Sequence, residues 1–349
     1  MNFSDRLIAW YKQNGRDLPW RQTSNPYPIY LSEIIMQQTR VEQGLPYYNK
    51  FLKNFPTVAD LARADEDEIL KNWQGLGYYS RARNMHKAMR IIHHDLDGKF
   101  PNNYQDLIKL PGVGDYSASA ISSFAFKEVK AVVDGNVYRF LSRFFGESAP
   151  IDTGKGQKIF KELATELISP EEPDSFNQGI MEFGATICKP KNPNCTDCIF
   201  NRECKAFADE NVFDFPVKSR KTKIRTRYFN YLICTFKDTT YLLKRGEKDI
   251  WQGLFDFPMI ETSNLQDWTN LAQDPQAPYL TKSNVIKAPR LTEEIKHILS
   301  HQVIIARFWE VELNNYLDSN LLEIKSKDIH KFASSRLLEK YLEKHSLKS

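Results

Sequence analysis

Apolar residues recur at helical spacing from the start of the chain to about residue 210, and at strand spacing from about residue 228 onward. The opening run NFSDRLIAWYKQNGR reads as an amphipathic helix, and residues 27–37, YPIYLSEIIMQ, as an apolar helix interrupted by Glu33. Thr39 and Glu42 have the spacing of a capping box for a helix reaching Phe55, and Asp65 with Glu68 repeats it ahead of a helix ending near Trp73. Helical runs continue through Arg90, over 104–109, from Tyr116 to about Phe126, from about Gly135 to Phe145, and through 155–168 and 174–188. In the second part, residues 228–235, 239–244, 253–260 and 303–311 read as strands, with helices near 292–297 and 334–344. The pattern predicts a multidomain chain: an all-α domain over 1–216, a linker over 217–227 and an α+β domain over 228–349. The linker VKSRKTKIRTR has six basic residues and no apolar period, so it either tracks phosphates or stays solvated.

Several stretches carry candidate chemistry. Leu110-Pro111-Gly112-Val113-Gly114 stops one helix before another begins, because proline disfavours helix in the residue before it and glycine admits positive φ. Asp115 can cap the helix that follows. Gly112, Gly114 and the new helix N-terminus leave N–H groups free to hold a phosphate, although a tight turn between packed helices explains the same residues. Asp134 stands just before a helix, where the N-terminal dipole favours its anion; an ordinary N-cap looks the same. Glu33 among isoleucines is costly unless paired or protonated, and burial moves its pKa towards that of a general acid; a glutamate on a solvent face is the alternative. Residues 16–21, RDLPWR, form a turn presenting an aromatic and two arginines. Residues 74–83, QGLGYYSRAR, combine two glycines, two tyrosines and two arginines, as expected of a loop that enters nucleic acid or of a connecting turn with half-buried tyrosines. Ser300 and His301 sit in a turn before a strand.

Composition narrows the class. At 349 residues the chain suits two domains, and a net charge of +4 permits an anionic partner without demanding one. With no secretory pattern at the N-terminus and no apolar run of membrane-spanning length, a cytoplasmic, reducing compartment is expected. Four of the five cysteines fall in Cys188-x6-Cys195-x2-Cys198-x5-Cys204, which favours a metal centre over disulfides. Zinc and an iron-sulfur cluster are both chemically allowed, though structural zinc favours paired Cys-x-x-Cys knuckles and only one such pair exists here. Cys234, in an apolar strand-like run, reads as a core thiol.

Taken together, LPGVGDY, VDGNVYR, RDLPWR, SEIIMQQT, GLGYYSRARN, NQGIMEFGATIC and the cysteine loop resemble the helix-hairpin-helix DNA glycosylases that carry a four-iron, four-sulfur cluster. Within them the chain is similar to the adenine DNA glycosylase family, and WQGLFDFP is similar to that family's Nudix-like C-terminal domain. The resemblance implies a helix-hairpin-helix over 104–126, a cluster loop over 188–204 held by Cys188, Cys195, Cys198 and Cys204, and excision of adenine opposite 8-oxoguanine, and also opposite guanine, by a monomer acting on double-stranded DNA. It implies Glu33 as the acid that protonates adenine N7 and Asp134 as the carboxylate facing the oxocarbenium-like sugar, with Tyr116 and Asn136 beside them and a covalent sugar intermediate on Asp134. It carries Trp20, Arg21, Met36, Val41 and Glu182 into the adenine pocket, and Gln38, Thr39, Leu76, Gly77 and Tyr78 into the duplex around 8-oxoguanine. Ser300 and His301 match the Phe-Ser-His sensor of the oxidised base, with Leu299 in place of the aromatic. Endonuclease III-like relatives carry a lysine nucleophile where this chain has Tyr116, so no Schiff-base strand cleavage is expected. The glutamate-rich Nudix box is missing, so the C-terminal domain is expected to bind and not to hydrolyse nucleotides. The competing readings are a glycosylase for another lesion and a non-catalytic DNA-binding iron-sulfur protein. The cluster loop is expected to turn Lys189, Lys191 and Arg202 towards phosphates.

Overall fold

The computed structural model describes residues 2–219, 224–275, 285–286, 288–317 and 320–345. Arg220, Lys221, Thr222 and Lys223 of the basic linker lie outside the described residues. The chain packs as two compact units, the first made of Met1–Arg63 and Lys87–Lys221 and the second of Ala64–His86 and Thr222–Ser349. The second unit thus takes a piece of chain that the linear division 1–216 and 228–349 assigns to the helical domain.

The first unit is helical. Its core is built where Phe3–Asn14, Gly135–Phe145 and Pro173–Thr186 meet, through Leu7, Phe140, Leu141, Phe176, Ile180 and Phe183, with Phe200 from the cysteine loop. Pro26–Met36 is apolar on nearly every face and buries Ile29 to Ile35 without a break, which carries Glu33 inside with its neighbours. The helix Asp115–Phe126 buries Ser117, Ala118, Ser119 and Ala120, small residues that allow close approach to Pro26–Met36; Gln37 Nε2 donates to Ser117 Oγ at 3.0 Å between the two. The hairpin before it turns at Gly112, whose φ of +76° a side chain would strain.

Three of the expected caps form differently. The helix Val41–Asn54 starts from Arg40 with no side-chain cap, and Thr39 Oγ1 donates to the Gln37 carbonyl two residues back at 3.3 Å. Asp115 is inside its helix, not its cap: Gly114 takes the cap position, while the Asp115 carboxylate accepts from Tyr104 Oη at 2.8 Å and Lys161 Nζ at 3.1 Å. Asp65 occupies the cap position before Glu66–Trp73 but makes no side-chain capping bond.

The second unit is a mixed sheet with short helices. Its strands are β1 Arg225–Phe236, β2 Thr239–Lys244, β3 Phe255–Asp256, β4 Met259–Thr262, β5 Arg290–Ile298, β6 Gln302–Glu312 and β7 Leu322–Lys325. β1 runs parallel to β6 and antiparallel to β2 and β4; β5 pairs antiparallel with β6, and β3 and β7 with β2. Leu232, Trp309 and Val311 pack with Leu271 in one apolar cluster of this sheet. Tyr231, Phe308 and Tyr341 stack elsewhere on it, the last from the helix Arg336–Leu342. The helix expected near 292–297 is a strand. Ile295 and His297 point inward while Glu294, Lys296 and Ile298 point out, a period of two that the charged residues disguise, and β6 supplies the partner that sequence propensity cannot see. The expected strand over 253–260 breaks in two at Pro258, which has no N–H for a ladder. Cys234 is fully buried, as a core thiol.

Candidate active site

Glu33 is 7% exposed and its pKa is pushed up to about 7. Burial is the main cause; the hydrogen bond from Tyr116 opposes it, neighbouring Asp134 adds to it, and Arg21 opposes it. Tyr116, in the first turn of the hairpin's second helix, is half-buried, and its hydroxyl also lies 4.0 Å from Met181 Sδ.

Asp134 caps Gly135–Phe145: Oδ1 accepts from the backbone N–H of Asn136 and of Val137, each at 2.8 Å, and Oδ2 accepts from Asn136 Nδ2 at 2.8 Å. These donors and Arg139 pull its pKa down, yet burial outweighs them and the net shift is upward, against the expectation of a carboxyl simply held ionised by a helix terminus. Asp134 thus accepts from three N–H groups, while burial favours the protonated form of Glu33.

A raised carboxyl pKa is also a cost to folding. The folded chain binds a proton at Glu33 between pH 4.5 and about 7, where the unfolded chain has released it, so stability falls as pH rises through that window. Above pH 7 the penalty is on the order of 3 kcal/mol. Glu33→Gln is therefore expected to melt higher than the wild type at pH 8, with the gap closing by pH 5. Differential scanning calorimetry at both pH values checks this.

Glu182 is buried between two arginines. Arg16 donates to it from Nε at 2.7 Å and Nη2 at 3.0 Å, and Arg21 from Nη2 at 2.7 Å, which holds its pKa down despite burial. Arg21 also anchors on the Arg16 carbonyl at 3.1 Å. Trp20 is half-buried, its ring edge-on to Tyr48 at 5.0 Å, and Met36 and Val41 stand half-buried at the ends of the helices flanking the 37–40 turn. Gln38 is exposed in that turn with φ of +55°, and Thr39 is half-buried.

Arg16, one of the two arginines that RDLPWR presents, turns inward to Glu182. Arg139 was not singled out by sequence reasoning and had only its position one helical turn after Asn136: it donates to Asn136 Oδ1 at 2.9 Å, to the Gly184 carbonyl at 2.6 Å and to the Cys188 carbonyl at 2.8 Å, so the asparagine beside Asp134 and the first cysteine share one guanidinium.

Cys188, Cys195, Cys198 and Cys204 line a single pocket with Phe140, Ile187, Phe200, Phe207, Val212 and Arg143. Burial pushes the thiol of Cys198 up to about 11 and raises those of Cys195 and Cys204. Arg143 Nη1 lies 3.4 Å from Cys188 Sγ and 2.8 Å from the Lys189 carbonyl. Among the described residues no group of three Cys, His, Asp or Glu side chains converges to hold a single ion. Four thiols around an apolar space suit a centre in which each metal atom takes one thiolate, and the donor set fits a cuboidal cluster. Lys189, Lys191 and Arg202 are exposed on this loop.

In the second unit, Tyr78 is 46% exposed, Gly77 half-buried and Leu76 buried. Only one tyrosine of the QGLGYYSRAR stretch faces outward. Tyr79 is 2% exposed, Arg81 is buried over the Trp73 ring at 5.0 Å, and Arg83 donates to the Gln252 carbonyl at 2.6 Å, so these three are not the stacking surface and phosphate partners that composition suggests. Ser300 and His301 are the two exposed residues of the β5–β6 turn, closed by Leu299 N–H donating to the Gln302 carbonyl at 2.8 Å. The hydroxyls of Tyr78 and Ser300 share a short hydrogen bond.

Residues 31–167 match the family described as HhH-GPD superfamily base excision DNA repair protein, and residues 230–344 match the NUDIX domain. Fold and site together define the class, a helix-hairpin-helix base-excision DNA glycosylase with a Nudix-like second domain. The chain is 36% identical over 303 residues to adenine DNA glycosylase of Buchnera aphidicola subsp. Schizaphis graminum, covering 86% of this chain and 84% of that one. Over 214 residues it is 40% identical to the Homo sapiens adenine DNA glycosylase, covering 58% of this chain and 39% of that one. A thermostable thymine-DNA glycosylase superposes with a TM-score of 0.55 at 31% identity, covering 59% of this chain and 95% of that structure. The chain belongs to the adenine DNA glycosylase family. No helix among the described residues is long and apolar enough to cross a membrane.

Proposed function

We propose that this protein removes adenine from double-stranded DNA where it is paired with 8-oxoguanine, acting as a monofunctional glycosylase. The observation that carries the reading is the pairing of Glu33, at a pKa of about 7 inside an apolar helix, with Asp134, held by three N–H donors at a helix N-terminus. Two carboxyls with different surroundings are the requirement of glycosidic cleavage: one delivers a proton and the other faces the cationic sugar. Glu33 gives its proton to adenine N7, the C1′–N9 bond breaks and its electrons leave with the base. Asp134 faces the positive charge that develops on the sugar, and water completes an abasic site. The family resemblance adds a transient bond from Asp134 to C1′. Glu182, fixed by Arg16 and Arg21, presents a buried anion to the amino edge of the flipped base, with Trp20, Met36 and Val41 as pocket walls. Gln38, Thr39 and Tyr78 are the residues offered to the duplex, and Gly112 and Gly114 offer backbone N–H groups to a phosphate. Ser300 and His301 read the opposite base from the tip of their turn.

Because Tyr116 stands where a strand-cleaving relative needs an amine, borohydride is expected to trap no covalent complex on a duplex containing adenine opposite 8-oxoguanine, and nicks are expected only after alkali. A trapped species would identify a lyase and contradict the reading.

Cys188, Cys195, Cys198 and Cys204 would hold a four-iron, four-sulfur cluster, which when bound ties the 188–204 loop into one piece. The chain's own part is to line one pocket with four half-buried thiols and to expose Lys189, Lys191 and Arg202 beside them. Cys198→Ser is expected to lose bound iron and to weaken duplex binding about tenfold, since several phosphate contacts go with the loop. Iron and sulfide assay with a binding titration at fixed salt measures both.

A further inference from the structure

The segment Ala64–His86 packs with the C-terminal sheet domain. We propose that the two form one lesion-reading body, with Tyr79 and Arg83 as positioning residues that hold the loop bearing Tyr78 against the turn bearing Ser300. This rests on the reading above, in which that loop and that turn meet the oxidised base.

The contacts are specific and local. Tyr79 Oη donates to the Ser334 carbonyl at 3.2 Å and accepts from the Gly75 N–H at 3.3 Å, so one buried hydroxyl fastens both the loop and the C-terminal domain. Arg83 Nη1 donates to the Gln252 carbonyl at 2.6 Å, and Lys71 Nζ to the Phe332 carbonyl at 3.1 Å. Beside Gln252, Gly253 takes φ of +83°, and a Cβ there would meet Leu70 Cδ1 at 3.0 Å, so the loop after Trp251 seats directly on the Glu66–Trp73 helix. Three side chains of the segment thus end on backbone carbonyls of the C-terminal domain, which anchors the segment to that domain's main chain and leaves the Tyr78 ring at the rim. Its hydroxyl then reaches Ser300 before any DNA is present. A reader assembled in advance loses less conformational freedom on binding than two segments ordered separately.

The test uses the full chain carrying Tyr79→Phe with Arg83→Ala, and Ser300→Ala alongside. Hydrogen–deuterium exchange of residues 74–82 in the free protein and single-turnover adenine release opposite 8-oxoguanine and opposite guanine are measured for each. In the double variant, exchange is expected to rise and the preference for 8-oxoguanine to fall about five- to tenfold, while release opposite guanine is kept. Arg83→Lys, which keeps a donor, is expected to keep most of the preference. Ser300→Ala is expected to lose preference without faster exchange. Unchanged exchange in the double variant would overturn the proposal, as would an equal fall of release opposite both bases, which marks a general fold defect. If the wild type shows no preference for 8-oxoguanine, the functional reading fails, and the exchange result alone still decides whether the segment is held.

Discussion

Glu33→Gln is expected to cut adenine release by about 10²- to 10⁴-fold in single turnover, the range over which a positioned proton donor acts. Adenine is a poor leaving group unless protonated, and Glu33 is a buried carboxyl of this site whose pKa burial pushes up to about 7. Glutamine keeps the shape and hydrogen-bonds Tyr116 but has no acid proton. Duplex affinity is expected to stay, because the side chain is buried within its helix and offers no phosphate contact. The same assignment fixes the pH dependence. Release needs Glu33 protonated, so the rate declines through about pH 7 and falls tenfold per unit beyond it. It also needs Asp134 ionised, and since that pKa is raised the acidic limb begins above the ordinary aspartate range. The two carboxyls interact, so the limbs belong to the pair. A rate that is flat across pH 7 to 9 removes Glu33 from the acid role.

Asp134→Asn is expected to cost about 10²- to 10³-fold, the loss associated with removing one fixed charge or dipole from a charged transition state. The substitution separates chemistry from folding, since asparagine serves as an N-cap about as well as aspartate. The N–H groups of Asn136 and Val137 keep an acceptor, and the helix Gly135–Phe145 stays capped. Melting that does not fall, together with lost release, is the expected combination, since the ionised Asp134 with its raised pKa is itself a cost to folding that asparagine removes. Lost release together with a lower melting temperature would instead make Asp134 mainly a structural cap.

The two carboxyls were legible in the sequence because their settings are local: a glutamate inside YPIYLSEIIM, and an aspartate one residue before the helix GNVYRFLSRFF. So were the cysteine loop and most helices, whose apolar periods survive from sequence into packing. What escaped was set by partners distant in the chain. Strand β5 reads as helix from its charges because only pairing with β6 makes it a strand. Tyr79 and Arg83 look like nucleic-acid ligands by composition, yet they spend their polar groups on Ser334 and Gln252, more than 160 residues later. Asp115 satisfies the capping pattern but is drawn to Tyr104 and Lys161. The upward shift of Asp134 needs the packing around it, since a helix terminus alone predicts the opposite.

Acid-assisted removal of adenine opposite 8-oxoguanine is decided by single-turnover release from duplexes with adenine opposite 8-oxoguanine, guanine or thymine. Release is expected opposite 8-oxoguanine, more slowly opposite guanine and little opposite thymine, with all three lost in Glu33→Gln. Release that ignores the opposite base, or that survives in Glu33→Gln, would contradict it.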